Sequence, residues 1–486
     1  MRGIPLKTLF FIIFFSLFLN PLSAVAGDID WSGRYRFEGV SVANTTAVDG
    51  GGSKAYMLHH LLLEPKIVAA DGLNIYGTFG VMNNSRPYHS NSQMGQFMGS
   101  GPNPNYSTGT TATSTTGAGD SNTLSETQTP DSIKVHRLYM MWMQEFSTLI
   151  VGRAPIQFGL GMTHNAGLGE FDHWYDSKDI IGYKVLIGNM SITPMMGKVN
   201  EGYLNREDDV DDYMLQFQYD NPDTGLGLGV FYEQRVALSR GGNDVPTALT
   251  GVTGTVDDSW EGKRINLSVT KNVEEFGIGV EAGFLNGNSG MKNSAGQPIA
   301  LEAFGLASEF SYRPKGSAWD WGLKMGLASG DNYSTDDKYE GFLFDRNYDV
   351  SLILFNHVVG RYDTFITHAG GKSTNGVADA DTESLSNVFY VSPTAHYHFS
   401  DRWTLSGRFL WAQLQENPEI TMGTVAKDVG YETDLMLRYQ PHDRLALGLD
   451  FGWLAPGDAF RGGDLRPPNQ PTDSIYLMQT KATVSF

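Results

Sequence analysis

The chain has 486 residues, of which 57 are glycine and none cysteine, with 12% aromatic and only 18% charged residues. Without cysteine, neither disulfides nor a lipoprotein anchor is expected, and a formal charge of −19 excludes nucleic acid as a partner, because such a surface repels phosphate. Glycine and aromatics in these amounts favour strands over helices.

Met1 to Ala26 places Arg2 and Lys7 ahead of an apolar core from Leu9 to Leu19, then Pro21 and the small-residue site Ala24-Val25-Ala26. This pattern is that of a secretory signal peptide cleaved before Gly27. Its apolar run is too short for the ~20 residues a spanning helix needs. Beyond Ala26 no stretch approaches ~18 apolar residues, so no transmembrane helix is expected. A membrane barrel is compatible with this, because its strands are only half apolar. Residues 27–486 would be long for one soluble domain, and a single large barrel accommodates them.

From residue 29 to 42, Ile29, Trp31, Gly33, Tyr35 and Phe37 alternate with Asp30, Ser32, Arg34, Arg36 and Glu38. Period-two alternation suits a soluble sandwich or a wall between lipid and water. Apolar segments at 55–69 and 73–83 flank the tight Asp71-Gly72 turn. Residues 84–131, rich in Ser, Thr, Gly and Asn, read as a long flexible loop with too little apolar matter to pack.

Farther on, short connections at 145–148, 188–189, 221–225, 272–275, 313–317, 400–401 and 440–443 alternate with longer polar ones. The long ones lie near 158–177, 200–210, 238–260, 287–300, 330–383, 416–429 and 455–473. A sandwich has no reason to keep that rule, whereas an outer-membrane barrel has short turns on one rim and long loops on the other. The expected fold is therefore an all-β, antiparallel, up-and-down transmembrane barrel of about 18 strands, with both termini on the short-turn side and a lumen wide enough for water.

Later strands repeat the pattern. Trp403, Leu405, Phe409 and Trp411 alternate with Arg402, Thr404 and Arg408. Tyr431, Leu435 and Leu437 alternate with Glu432, Asp434 and Arg438, and Leu445, Leu447, Leu449 and Phe451 with Arg444 and Asp450. Aromatics at the ends of the apolar rows suit girdles at the two membrane interfaces. The expected pore-lining set is Arg34, Arg36, Glu38, Arg264, Arg402, Arg408, Glu432, Asp434, Arg438, Arg444 and Asp450, with Asp30, Glu281 and Glu309 also on inward rows.

Segment 330–383 carries Phe342-Leu343-Phe344 and Val350 to Phe355, too apolar for a solvated loop. It is read as folding back into the barrel mouth as a constriction loop presenting Phe342, Phe344, Asp345, Arg346 and Asp349. The alternative is one more strand pair, raising the count to about 20. Residues 157–176 (QFGLGMTHNAGLGEFDHWYD) are a second inward candidate, their glycines and aromatics equally compatible with rim packing. The final stretch, Ser474 to Phe486, alternates Tyr476, Met478, Thr480, Ala482, Val484 and Phe486 with Ile475, Leu477, Gln479, Lys481, Thr483 and Ser485. It resembles the C-terminal signal read by the outer-membrane barrel-assembly machinery.

Three stretches, Gly152 to Gly161, Phe342 to Leu354 and Tyr431 to Phe460, resemble the outer-membrane porins of the alginate-export-like family. The resemblance implies a barrel of about this strand number, with loops constricting the lumen and small or polymeric anionic solutes as cargo. An exporter of an acidic polysaccharide would line its lumen densely with arginine, and the near-balance of inward arginines and carboxylates points instead to a general channel for small hydrophilic solutes.

Other chemistry is thin. His396 and His398 share a strand face at two-histidine metal spacing without an identifiable third ligand, and His59-His60 point to opposite faces. Neither a metal nor a cofactor is expected. The acidic run Glu207-Asp208-Asp209 with Asp211-Asp212 is placed in an outer loop, either solvated or gathering divalent cations against lipopolysaccharide. No Gly-x-Ser-x-Gly, phosphate loop or zinc-protease helix occurs, and His89 and Ser90 of Tyr88-His89-Ser90 point apart on an extended chain. No enzyme is expected. A surface adhesion role resting on 84–131 and export of an anionic polysaccharide are the remaining alternatives.

Overall fold

Alternating rows leave each strand with one face that water disfavours, and among the described residues no second sheet covers it. The structure, a computed structural model, describes residues 28–47, 51–81, 133–200, 210–237, 255–256, 260–293, 295–331, 337–357, 359–360, 384–416, 426–461 and 472–486. Its strands are β1 (Asp28–Ala43), β2 (Lys54–Ala70), β3 (Leu73–Val81), β4 (Ile133–Met143), β5 (Ser147–Pro155), β6 (Ser177–Ile187), β7 (Met190–Asn200), β8 (Val210–Asn221), β9 (Leu226–Ala237), β10 (Thr255–Val256), β11 (Trp260–Val273), β12 (Phe276–Lys292), β13 (Pro298–Tyr312), β14 (Trp319–Ala328), β15 (Lys338–Tyr339), β16 (Val388–Ser400), β17 (Trp403–Leu414), β18 (Asp428–His442), β19 (Leu445–Pro456) and β20 (Ile475–Ser485).

The two-residue β10 and β15 ride on the rim beside β12 and β13. The other eighteen strands each pair antiparallel with their neighbours around the wall. β1 pairs with β20 from Arg34 opposite Ser485 to Ala43 opposite Tyr476, which closes the cylinder and removes both sheet edges. Backbone bonds of 3.1 Å in each direction between Gly33 and Phe486 finish the seam. The expected barrel and strand number hold, and the alternative extra strand pair does not form among the described residues of 330–383.

The outward rows are apolar around the circumference, with Trp31, Leu138, Ile181, Leu228, Leu267, Phe284, Leu306, Trp321, Leu435, Phe451 and Met478 all exposed. A continuous apolar belt of this extent is untenable in water and suits hydrocarbon. Near the short-turn rim Trp403 stacks on Tyr439 at 4.1 Å and Phe276 on Tyr312 at 4.5 Å. Toward the long-loop rim Tyr431 meets Trp453 edge-on at 5.6 Å. From Trp403 to Trp411 one strand rises about 26 Å, roughly 20 Å along the axis at the usual tilt, close to the ~25 Å apolar band of such barrels once ring widths are added. No helix among the described residues is long and apolar enough to cross a membrane.

Two connections differ from expectation. Residues 287–300 are no long loop, because β12 runs to Lys292 and β13 begins at Pro298, extending the hairpin beyond the belt. Asp211 and Asp212 lie not in an outer loop but in β8, buried and paired with cations of β7 and β6, Lys198 to Asp211 at 2.9 Å and Lys178 to Asp212 at 2.7 Å. Residues 1–26, 84–131 (with Tyr88-His89-Ser90) and 207–209 lie outside the described residues.

Candidate functional site: a lumen narrowed by two anchored loops

The wall alone would leave a wide passage. Residues 340–357 fold into it because their backbone finds an acceptor there. Glu432 on β18 receives the N–H groups of Leu352 and Ile353 on Oε1, at 2.8 and 2.7 Å, and that of Leu354 on Oε2, at 2.8 Å. Ser392 Oγ donates to the Val350 carbonyl at 2.9 Å. Phe342, Phe344, Tyr348, Ile353 and Leu354 are buried against inward Ala307, Val388, Tyr390, Leu410, Leu454 and Leu477. The wall is therefore apolar on both faces where the loop sits, which explains Ile475 and Leu477 on the otherwise polar row of the last strand.

Space for the aromatic rings comes from glycine. A Cβ on Gly305 would lie 2.5 Å from Phe342 Cδ1, so Gly305→Val is expected to destabilise the protein by about 1–3 kcal/mol through overpacking. A lowered thermal midpoint in detergent is the check.

Residues 156–176 form a second inward loop, anchored in the same manner. Glu281 on β12 accepts the N–H groups of Leu160 and Met162 at 2.8 and 3.2 Å and the Thr163 hydroxyl at 3.3 Å. Phe158 packs on Phe231, ring centroids 5.6 Å apart. Arg36 donates to the carbonyls of Asp172 and Glu170 at 2.9 and 3.3 Å, and His173 bonds Glu38 at 2.8 Å. The loops also hold each other: the Asp345 N–H donates to the Met162 carbonyl at 2.7 Å, Asn347 exchanges bonds of 2.9 and 3.2 Å with the Trp174 backbone, and Arg346 lies 4.1 Å over the Trp174 ring.

Between these loops and the wall from β4 to β11 lies a cavity of about 690 Å³. Seven lysines and arginines line it against four carboxylates, so its charge balance opposes that of the chain as a whole. Arg235 grips Asp212 through two bonds of 2.7 and 2.9 Å, Lys178 bridges Asp212 and Glu233, and Arg264 stands 3.6 Å from Glu233. His164 lies 3.3 Å from Glu233, and burial drives its pKa down, so the contact is a hydrogen bond to a neutral ring. Burial holds the Asp345 carboxyl well above the usual aspartate range, and Asp176 beside it, sharing a hydrogen bond, pushes the same way.

The residues expected along the pore and its constriction lie in different environments. Arg264 and Arg346 reach the cavity, as does Asp345, and Arg438 extends to Glu170 at 2.6 Å. Arg36, Glu38, Glu432, Asp434 and Asp450 are instead buried, bracing loops or pairing within the wall, with Arg408 on Asp434 and Lys481 on Asp450 at 2.9 Å each. Arg34 is half-buried on the inward row of β1. Arg402 and Arg444 lie in the two-residue turns after β16 and β18, exposed on the short-turn rim rather than on the lumen wall, because the strands end one pair earlier than their alternation implies. Phe342 and Phe344 are buried between the loop and the wall, Phe344 also bordering the cavity, and Asp349 is exposed, its carbonyl accepting from Lys324 at 3.3 Å.

Sequence reasoning missed Lys178, Glu233 and Arg235, and placed Asp212 in a loop. The trace of Glu233 and Arg235 is charge at alternate positions of β9, and Lys178 is a lone cation at the start of β6. His396 and His398 bond Ser406 at 2.7 Å and Asp320 at 3.0 Å. Among the described residues no three His, Asp or Glu side chains gather closely enough to hold a metal.

An antiparallel eighteen-stranded barrel with a lipid-compatible belt and loops folded into its lumen has the architecture of an outer-membrane porin. Solved structures with this fold include OccK2 (OpdF) of Pseudomonas aeruginosa, at 10% identity and a TM-score of 0.51, covering 94% of this chain and 98% of that one. The same protein in complex with glucuronate (12% identity, TM-score 0.50) and OccK9 (OpdG) of the same organism (12%, 0.50) have the same coverage. No protein-family model and no curated protein matches the chain.

Proposed function

We propose that the protein is a non-enzymatic outer-membrane channel through which small hydrophilic solutes diffuse passively, with small organic anions favoured. The observation that carries this reading is the cation-rich 690 Å³ cavity left between two anchored loops. Its size falls within the ~300–1,000 Å³ of small-molecule sites, which supports a small solute over an anionic polysaccharide, the cargo suggested by the alginate-export-like resemblance. The similarly folded OccK2 was solved with glucuronate, a solute of the size and charge proposed here.

Residues 1–26 would direct export. The last strand, whose Phe486 closes the seam on Gly33, would be read by the barrel-assembly machinery, and the outward belt would meet lipid and lipopolysaccharide. Swelling of proteoliposomes is the test: a hexuronate is expected to enter faster than a neutral hexose of equal size, and a long anionic oligosaccharide not at all. Equal entry of hexuronate and hexose would contradict the anion preference.

The cavity charge should depend on pH through Asp345. A carboxyl whose pKa is raised stays neutral until the pH passes that raised value, then ionises beside Asp176 and adds one negative charge. The anion-to-cation permeability ratio is therefore expected to fall as pH rises through a window above the ordinary aspartate value of ~3.9. In Asp345→Asn that step should vanish, as measured by reversal potentials across a salt gradient.

A further inference from the structure

We propose that His60 and His136 form a binding site for a divalent transition-metal ion of the class imidazole prefers, copper, nickel or zinc, on the lumen wall. The two histidines stand on strands flanking β3. The β3–β4 register shifts between Thr78 and Phe79, opposite Arg137 and Val135, leaving His136 as the extra residue of a β-bulge. A bulge re-aims side chains, and this one turns both His136 and Arg137 inward, where they are buried. His60 faces the same way from β2, while its neighbour His59 belongs to the opposite row and meets Tyr35 on the outer face.

Between the histidines lies Gly80. A Cβ built there would sit against His136 Nε2 and 2.9 Å from His60 Nε2, so both nitrogens lie over the same bare face of the glycine and only glycine leaves room for the two of them. The rings stand 6.1 Å apart at 77°. The side chains are 3% and 6% exposed, and each Nε2 is buried without a hydrogen-bond partner. Two orphaned imidazole nitrogens side by side supply two of the donors such a metal takes, and the rest must come from outside the chain. The surrounding charge decides what completes the coordination. Arg34 and Arg36 act on His60, and Lys134 and Arg137 on His136, so a bare cation is disfavoured and an anionic donor at the open positions is favoured. A carboxylate or hydroxide facing the lumen is the ligand this charge selects.

A bridging water is the other occupant that would satisfy both nitrogens, and it predicts no metal affinity. The test uses tag-free, refolded protein carrying His396→Gln and His398→Gln to silence the other histidine pair, with Cu²⁺ as the probe. One ion per chain is expected, with an electron-paramagnetic-resonance signal showing coupling to two imidazole nitrogens. His60→Gln and His136→Gln should each weaken binding at least about tenfold. Gly80→Ala, which keeps both imidazoles but fills the gap, should weaken it as well, with barrel folding followed by circular dichroism. Copper binding unchanged in the H60Q/H136Q double variant, or no stoichiometric binding at all, would overturn the site. Both readouts are made without transport, so their failure and that of the channel reading are distinguishable.

Discussion

Glu432→Ala is expected to release the 340–357 loop from the wall and raise single-channel conductance severalfold. The carboxylate accepts three consecutive backbone N–H groups that are buried. Each such donor left without a partner costs about 1–3 kcal/mol. Three of them outweigh much of what the loop gains by staying seated, and with a factor of ten for every ~1.4 kcal/mol the seated-to-released ratio should fall by roughly two orders of magnitude or more. Because the loop packs on already-formed strands, the barrel should persist while the loop detaches. The apolar seat made by Leu410, Leu454 and Leu477 would then face water, so the thermal midpoint should fall as well. Glu432→Gln keeps the shape but replaces one acceptor oxygen with a donor, and should give an intermediate conductance. Glu281→Ala should act in the same sense on 156–176, more weakly because Arg36, Arg438 and His173 also hold that loop. Conductance unchanged in the E432A variant of a folded barrel would mean that this carboxylate does not seat the loop.

The double change Arg264→Glu and Arg346→Glu is expected to turn an anion-preferring cavity into a cation-preferring one. Both side chains line the cavity, and neither carries the wall, unlike Lys178 and Arg235, whose loss would strand the buried Asp212. Reversing two charges changes the local sum by four. At about 7 Å in a water-like dielectric each unit charge acts on a passing ion by roughly 0.6 kcal/mol, so anions and cations shift in opposite senses by on the order of 2 kcal/mol each, roughly a thousandfold in the permeability ratio before screening. High salt should diminish it, since the Debye length is ~3 Å at 1 M. Reversal potentials measured in dilute and concentrated potassium chloride would check both points.

Much of the wall was legible because its cause is local. A strand between hydrocarbon and water must alternate, and Trp403 to Trp411 or Tyr431 to Tyr439 do so without reference to any other part of the chain. The inward fold of Phe342 to Phe355 was legible for a related reason, since that segment is too apolar to remain in water. What it binds was not, because the acceptor for its N–H groups lies some 80 residues away on β18 and the room for its rings is made by Gly283 and Gly305 on other strands. Inwardness alone said nothing of whether a charge meets water: Arg36 and Glu38 share a row with Arg34 but are sealed beneath 156–176. Asp211 and Asp212 looked like loop residues because an acidic pair is costly to bury until Lys178, Lys198 and Arg235 are brought alongside. His60 looked inert beside His59, since its counterpart stands two strands over and faces it only through a bulge that alternation does not show.

Planar-bilayer recording of the purified, folded protein is the most direct test of a water-filled lumen narrowed by loops. Discrete conductance steps are expected, smaller for the native protein than for one lacking residues 345–355, and carried preferentially by anions. A folded barrel that inserts yet passes no current with or without that segment would contradict it.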